Sequence, residues 1–357
     1  MPCSASSWRR VSTWPGRPVS TNMGPWGSCR STGCTVTRVA RNGPSNWRMR
    51  TTSGSGLIAS SSARMADADI LPMEPGAPVA WQATCRVGSK GTLVRMEIHP
   101  LEAVAELRAV EGLQQAVWGM TDREVVPCHQ LLAAVRNGGV VLGAFSEGRL
   151  VGFCYAFVGW RQGERVLHSH MTAVLPGLQD RDVGYRLKLA QREWALAQGY
   201  RRVVWTFDPL QSRNAYFNLH KLGARAERYE VNYYGEMDDE LNRGLPTDRL
   251  EVDWWVSSEP VVARLEGRRP APRLEGTRAV LEAEGDAPGR VHRPTGLLLR
   301  LEVPASISAL RERDPQLALA WRLATRQAFL RCFREGYAAV DFVREGGRGF
   351  YVLERSR

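Results

Sequence analysis

The sequence predicts an α/β (α+β) fold, and three patterns indicate it. Strand-like and helical apolar patterns alternate between residues 92 and 256. Two strand-like runs, VVLGAF and RLVGFCYAFVGW, are joined by the short turn Ser146-Glu147-Gly148, as in a β-hairpin. After a proline-rich, charged stretch at 257–293, predicted to be a linker, a strand, a long helix and two strands follow. This order predicts a small C-terminal β-α-β-β unit at residues 294–357 that packs on the first domain.

The domain predicted at 92–256 begins with a strand that Pro100 ends. A first helix follows with apolar residues at helical spacing, and a second one opens with a Thr-x-x-Glu capping box at Thr121 and Glu124. The hairpin comes next, and a further strand ends at Pro176. The remaining predicted elements are helices at 183–198 and 212–224 and strands at 201–209, 225–237 and 249–256.

The net charge of +11 comes almost entirely from the N-terminal tail. Residues 1–64 contain nine arginines and no Asp, Glu or Lys, so they carry +9 of the +11. The rest of the chain is close to neutral, which argues against nucleic acid as a partner. Two interpretations of the tail stay open: a transit peptide, or translated upstream sequence with the start near Met65 or later, which the excess of Arg over Lys favours. We expect 1–64 to be a non-native or disordered extension and 65–91 a loose lead-in.

The cysteines and the apolar runs indicate a cytoplasmic protein. Outside the tail, Cys85, Cys128, Cys154 and Cys332 lie far apart and form no CxxC pair. This spacing fits neither a zinc framework nor a disulfide scaffold. No run of about 18 apolar residues occurs, so we expect no membrane partner. No apolar segment precedes a small-residue cleavage site, which disfavours secretion.

The run VLPGLQDRDVGYR joins the strand that ends at Pro176 to the helix predicted at 183–198. The first turn of a helix has free backbone N–H groups and the positive end of the helix dipole. A glycine such as Gly184 lets the backbone approach an anion, and phosphate is the natural guest. The alternative is an ordinary strand-loop-helix junction with a turn glycine.

The order of these elements over residues 92–256 resembles the GNAT superfamily of acyl-CoA-dependent N-acyltransferases. The family loop reads Gln/Arg-x-x-Gly-x-Gly/Ala, and here Gln179 and Gly184 match while Asp182 replaces the first glycine. The family's later helix is matched by Ala215, Lys221 and Gly223, but Leu219 stands at the position of its tyrosine. Runs such as HSHMTAVLP and NYYGEM also resemble a bacterial GNAT branch with which acylation of amino acids, in some cases from succinyl-CoA, is associated.

The resemblance implies a GNAT-like mixed, mostly antiparallel sheet flanked by helices, and a site for acetyl-CoA or succinyl-CoA as co-substrate. It implies that backbone amides at 181–185 bind the pyrophosphate, with Asp182 turned away or paired with Arg181 or Arg186. A strand amide near Ala173 and Val174 would bind the oxyanion. The acyl-CoA-binding residues that the resemblance implies are Ala173, Val174, Gln179, Arg181, Asp182, Val183, Gly184, Tyr185 and Asn214.

Direct attack of an amine on a thioester needs a base, because an alkyl amine is mostly protonated near pH 7. His168 and His170 share one face of a strand, and His170 is the candidate base, although a histidine satisfied inside a packed β face is the alternative. Asp208 and Tyr216 are the other candidate catalytic residues; a turn aspartate and helix packing are their alternatives. A His-x-His metal pair lacks an obvious third ligand, so we expect no metal.

The sequence therefore predicts an enzyme that acylates a small-molecule amine such as an amino acid. The rival is a non-catalytic acyl-CoA sensor on the same fold, which the changes at Asp182 and Leu219 favour. One of Tyr233 and Tyr234 is expected to line the acceptor site and the other to enter the core, since neighbours on a strand alternate faces. Three roles stay open for the C-terminal unit: covering a sheet edge, closing the acceptor pocket, or forming a homodimer contact.

Overall fold

The computed structural model describes residues 81–87, 92–179, 181–236, 244–270 and 272–355. All of them belong to one unit, Ile70–Arg357. The extension predicted at 1–64 lies outside the described residues. Of the lead-in predicted at 65–91, the strand Trp81–Val87 is described.

Twelve strands of the described chain form one sheet, and two short strands form a separate ribbon. The strands are β1 Trp81–Val87, β2 Thr92–Pro100, β3 Val140–Ser146, β4 Arg149–Arg161, β5 Glu164–Val174, β6 Arg202–Phe207, β7 Arg225–Glu230, β8 Arg249–Trp255, β9 Arg278–Leu281, β10 Ala283–Glu284, β11 Ala287–Pro288, β12 Leu298–Val303, β13 Tyr337–Glu345 and β14 Arg348–Arg355. Their order in the sheet is β1-β2-β3-β4-β5-β6-β8-β7-β13-β14-β12-β9. Each neighbouring pair of described strands is antiparallel except β5–β6 and β12–β9, so the predicted mixed, mostly antiparallel sheet is confirmed.

The helices of the described chain lie between these strands in sequence. They are α1 Val104–Trp118, α2 Cys128–Arg136, α3 Val183–Ala197, α4 Ser212–Ala215, α5 Glu259–Leu265, α6 Ile307–Arg313 and α7 Pro315–Arg334. Helix α4 continues as a π-helical turn, Tyr216–Lys221. Helix α3 ends within one residue of its predicted boundary, because its apolar spacing extends over the whole element.

Helix α2 begins later than its capping signal predicts. The backbone N and the Oγ1 of Thr121 each donate to Glu124 Oε2 at 2.9 Å, so the predicted contact forms, but it closes an isolated turn. Pro127 precedes the first helical residue, Cys128. Because a proline disfavours helical conformation at the residue before it, the helix starts only after Pro127.

Helices cover both faces of the sheet, and each face has its own apolar core. Leu107 and Val110 of α1 pack with Phe153 of β4 on one face. On the other, Leu187 of α3 and Phe329 of α7 belong to a larger cluster. Burial of such a side chain contributes about 1.5–3 kcal/mol. The sheet is therefore held between two helical layers, as the sequence predicts.

The C-terminal strands extend the same sheet. Ala339 of β13 pairs with Ala226 of β7, and β14, β12 and β9 continue outward. The C-terminal unit therefore covers the edge that β7 would otherwise expose. Residues 257–293, predicted as a linker, hold helix α5 and strands β9, β10 and β11, and β9 joins the sheet.

Two arginines of α7 fix that helix to the first domain. Arg322 donates to both carboxylate oxygens of Asp208 at 2.8 and 2.7 Å, and Arg326 donates to both oxygens of Asp248 at 2.8 and 2.9 Å. Residues four apart lie on one helical face, so both pairs form together. The Arg322–Asp208 pair is almost completely buried, with side-chain exposures of 1% and 10%.

The Arg322→Met variant should lose about 3–5 kcal/mol of unfolding free energy, because it leaves the Asp208 carboxylate buried without its partner. Chemical denaturation of the full chain measures this loss. The matched control is Arg313→Met, which breaks an Arg313–Asp286 pair whose side chains are 63% and 73% exposed. The Arg313→Met substitution should lower the unfolding free energy by at most about 1 kcal/mol. Equal losses in the two variants would contradict a structural role for the buried pair.

Candidate functional site

Strands β5 and β6 separate soon after they meet. They pair only at Leu167–Val203 and His168–Val204, yet β5 continues to Val174. On the β4 side, Tyr155 pairs with Met171 and Ala156 with Ser169, which leaves His170 as an extra residue. Such a bulge bends a strand away from its neighbour. The result is a gap between β5 and β6 that begins beside Ser169.

The backbone of Val174 faces this gap. The backbone N–H of Leu175 donates to Val151 O at 2.9 Å, so the backbone N–H and C=O of Leu175 point toward β4. Successive residues of a strand direct their N–H and C=O groups to opposite sides. The N–H of Ala173 therefore also points toward β4, and the N–H of Val174 points away from β4, toward β6. The Gln179 side chain donates to Val174 O at 3.3 Å from the gap side. Of the two predicted oxyanion donors, Val174 is therefore the one whose amide is directed into the gap.

The N-terminus of α3 lies over the end of β5. A Cβ placed on Gly184 would lie 3.8 Å from Val174 Cγ2, so the first turn of the helix contacts the strand beside the gap. In the part of the chain that the structure describes, no acceptor binds the amides of Val183, Gly184 or Tyr185. The first amides of a helix lack an acceptor within the helix, and the gap leads toward them here.

Asp182 adopts a backbone conformation that favours glycine. Its φ of 59° and ψ of 5° lie in the left-handed region, where the penalty is smaller for Asp than for most other residues. Its carboxylate accepts from Lys221 Nζ at 3.2 Å, whereas Arg181 or Arg186 was the expected partner. Both side chains are largely exposed, so the pair itself stabilises the fold little. Its main effect is to place an ammonium next to the helix N-terminus.

An open pocket of about 330 Å³ lies on the other side of the gap. Ser169 points toward Lys188 of α3, so His168 and His170 point to the opposite face of β5. Both Tyr233 and Tyr234 line the pocket and are exposed, which corrects the expectation that one of them enters the core. The complete lining is Phe157, Gly159, Trp160, Arg161, Val166, His168, His170, Tyr233 and Tyr234.

The two histidines have lowered pKa values. Burial against Phe157, whose ring stacks on His168 at 4.8 Å, together with the nearby His170 and Arg161, lowers the pKa of His168 to about 4. Desolvation by the surrounding protein also lowers the pKa of His170, although its ring keeps an exposed face in the pocket. Both rings are therefore neutral near pH 7, and His170 is the one that can accept a proton from a molecule in the pocket.

Asp208 and Tyr216 do not join this pocket. Asp208 is occupied by Arg322 and by the amide of Leu210, which donates to it at 2.8 Å, so the structure corrects its predicted catalytic role to a structural one. Tyr216 stacks on His220 with ring centroids 4.6 Å apart, and Arg344 of β13 covers its ring. Its partners thus belong to the C-terminal unit and its own helix. Asn214 is exposed on α4.

Sequence reasoning did not find three polar residues beside the gap. Lys188 and Gln191 of α3 are buried, although the sequence places Trp194 and Ala197 on the apolar face instead. Ser169 of β5 is buried with them. Lysine is rarely enclosed in a core, so no sequence signal marks this position.

No cluster of three or more His, Cys, Asp or Glu side chains within the described residues could hold a metal ion. None of the helices described is long and apolar enough to cross a membrane.

Comparison with known proteins agrees with this geometry. Residues 105–223 match the model of the acetyltransferase (GNAT) family. A search of curated proteins finds no match. The GNAT acetyltransferase from Streptococcus pneumoniae is 15% identical, covers 44% of this chain and 97% of its own, and has a TM-score of 0.37. A GNAT acetyltransferase from Elizabethkingia anophelis with acetyl-CoA bound is 17% identical, covers 45% of this chain and 97% of its own, and has a TM-score of 0.34.

A third similar structure is the ribosomal-protein-S18-alanine N-acetyltransferase of Escherichia coli, 15% identical over 46% of this chain and 95% of its own, with a TM-score of 0.37. The family match covers α1 to the end of the π-helical turn, and so includes the gap and the start of α3. Residues 105–223 of this chain therefore carry the match to the acetyltransferase (GNAT) family model.

Proposed function

We propose that the protein is an N-acyltransferase that moves the acetyl or succinyl group of acyl-CoA to the amine of a small molecule such as an amino acid. One observation carries the proposal. The gap between β5 and β6 has the free amides at the start of α3 near one end and the histidine pocket at the other. A thioester carrier that binds phosphate at the first place would present its acyl group at the second.

In this proposal the amides of residues 183–185 bind the pyrophosphate of the carrier, since a helix N-terminus favours anions. Lys221 supports this fit, because its ammonium lies beside Asp182 and offsets that carboxylate near the phosphates. Gln179 and Arg181 flank the same loop, and Asn214 is exposed on the neighbouring helix. The pantetheine arm would lie along Val174, whose amide faces the gap.

The proposed reaction is direct attack of the amine on the thioester carbon, so alignment of the two reactants is the first requirement. His170 takes a proton from the substrate ammonium. A backbone amide of β5 next to the histidine pocket donates to the oxyanion of the tetrahedral intermediate, as a preorganised backbone donor does in other acyl transfers, while the amide of Val174 contacts the pantetheine arm. The pocket supplies aromatic rings for the acceptor. It also supplies Arg161, which already donates to Glu251 Oε2 at 3.3 Å, for a carboxylate on the acceptor.

The setting of the enzyme is also part of the proposal. Cys128, Cys154 and Cys332 are free, which agrees with a reducing, cytoplasmic compartment. We propose no nucleic-acid partner, because the positive charge of the chain is concentrated in residues 1–64. A homodimer is kept as a proposal for sedimentation analysis to test.

A non-catalytic acyl-CoA sensor remains the second candidate, and the surroundings of α4 favour it. Leu219 is fully buried where the family places a tyrosine, and Tyr216 is engaged elsewhere. Incubation with acetyl-CoA or succinyl-CoA, a panel of amines and a thiol reagent separates the two. Release of CoA that depends on the amine supports the enzyme. A raised melting temperature with acyl-CoA and no amine-dependent release supports the sensor and contradicts the enzyme.

The Gly184→Glu variant should bind acyl-CoA at least tenfold more weakly, a loss of about 1.4 kcal/mol or more, because it adds a negative charge next to the bound phosphates. Its fold should persist, since an acidic residue in the first helical turn is favourable. Gly184→Ala is the control: its Cβ would make only ordinary contact with Val174, so affinity should be retained. Calorimetric titration measures both. Unchanged affinity in Gly184→Glu would remove the phosphate site from α3.

The His170→Gln variant should lower kcat by roughly 10²–10⁴-fold, the usual contribution of a positioned base. In the wild type, kcat should fall with decreasing pH as His170 becomes protonated, with the midpoint below 6.5 because desolvation lowers the pKa of His170. The variant should lack this acid limb. His168→Gln is the control and should keep it. A His170→Gln enzyme with the wild-type pH profile would exclude His170 as the base.

A further inference from the structure

Lys188 is a buried lysine without a carboxylate partner among the described residues. It lies on α3 and is 3% exposed. Its Nζ donates to Ser169 Oγ and to Gln191 Oε1, both at 2.9 Å, and lies 3.8 Å from the centre of the Trp205 ring. A buried ammonium without a counter-ion is costly, so it is rarely kept for packing alone.

The position of Lys188 coincides with the point where β5 and β6 separate. The last residues paired between these strands are His168 and Val204. Ser169 and Trp205 are the next residue on each strand, and Lys188 contacts both of them. The ammonium therefore lies at the narrow end of the gap on the α3 side, while the histidine pocket lies on the opposite side.

The length of the gap suits an acyl-CoA arm. From Val174, beside the start of α3, to Ser169 is five residues of strand, or about 17 Å at roughly 3.3–3.4 Å per residue. An extended pantetheine chain has a comparable length. A carrier with its pyrophosphate at α3 would thus bring its sulfur close to Ser169.

Departure of the CoA sulfur requires a proton donor close to Ser169. The sulfur leaves as a thiolate and must be protonated. The resemblance to the GNAT superfamily implies that the tyrosine of the later helix would be the donor. Here Leu219 is fully buried at that position, and Tyr216 packs against His220. Leu219 has no proton to donate, and the neighbours of the Tyr216 ring are His220 and Arg344.

We propose that Ser169 and Lys188 together form the proton donor for the departing thiolate, with Ser169 Oγ next to the sulfur and Lys188 as the source of the proton. This inference rests on the proposed function. As the carbon–sulfur bond breaks, its electron pair goes to sulfur. Ser169 donates its hydroxyl proton to the sulfur and regains one from Lys188, which becomes a neutral amine.

The protons balance over one turnover. The acceptor ammonium gives one proton to His170, which releases it to solvent. After attack, the new amide nitrogen sheds a second proton, and this proton restores the Lys188 ammonium through solvent. The products are the amide, free CoA thiol and one proton in solution.

The surroundings of Lys188 suit a group that gives up a proton. Burial lowers the pKa of Lys188 to about 8, opposed in part by Cys154 of β4. The other groups that face it are uncharged: Ser169 of β5, Trp205 of β6, Trp254 of β8 and Gln191 of its own helix. His168, across the sheet, is neutral at pH 7 because its pKa is about 4. The ammonium form thus dominates below pH 8 and is lost above it.

Steady-state kinetics of Lys188→Met and Lys188→Arg in the full chain test the proposal. For Lys188→Met we expect kcat to fall roughly 10²–10⁴-fold, acyl-CoA affinity to stay within about threefold, and the alkaline limb near pH 8 to disappear. Lys188→Arg keeps the charge but holds its proton, so it should not restore kcat. A merely structural lysine would leave the pH profile unchanged.

Two results would overturn the inference: full kcat in either Lys188 variant, or a wild-type kcat that stays constant from pH 7 to 10. The second needs no variant, so it decides the matter even if a substitution prevents folding. Ser169→Ala should lower kcat without moving acyl-CoA affinity. If the wild type releases no CoA with any amine, the proposed transferase function is wrong, and this inference is wrong with it. An active wild type with active Lys188 variants removes only the proton donor.

Discussion

The separation of β5 from β6 is the constraint on which the site depends. Elsewhere in the described sheet, β4 and β5 pair along almost their whole length, whereas β5 and β6 share two residue pairs. A bulge at His170 sets the place where pairing stops. It exposes the backbone of Val174 to the gap, and the alternation of side chains along β5 places both histidines on one side. The chemistry proposed for this protein uses groups that this one irregularity makes available.

The second constraint is the attachment of the C-terminal unit. Asp208 directly follows β6, and Asp248 directly precedes β8. Asp248 accepts from Arg326, from Tyr229 Oη at 2.7 Å and from the amide of Asn232 at 3.0 Å. The next residue, Tyr233, lines the pocket. Helix α7 therefore holds in place the loop that carries the aromatic wall, although it lies outside the residues that match the family model.

Much of the architecture could be predicted from local sequence, because apolar spacing and turn residues report directly on helices and strands. Helix α3 and the hairpin around Gly148 are examples. The remaining features depend on contacts between residues that lie far apart in the sequence. Asp208 reads as a cleft carboxylate until Arg322, more than a hundred residues later, occupies both of its oxygens. The burial of Lys188 could not be predicted, because sequence periodicity does not show which polar side chains a sheet encloses. The delayed start of α2 shows a proline prevailing over a capping box.

Hydrogen exchange of the full chain with and without acetyl-CoA tests the central claim most directly. Among the described residues no acceptor binds the amides of Val183, Gly184 and Tyr185, and the amide of Val174 faces the gap, so saturating acetyl-CoA should slow the exchange of all four. Amides in β14, far along the sheet, should be unaffected. If acetyl-CoA binds and these four amides exchange as before, the carrier does not occupy the gap at the start of α3, and the account of the site is contradicted.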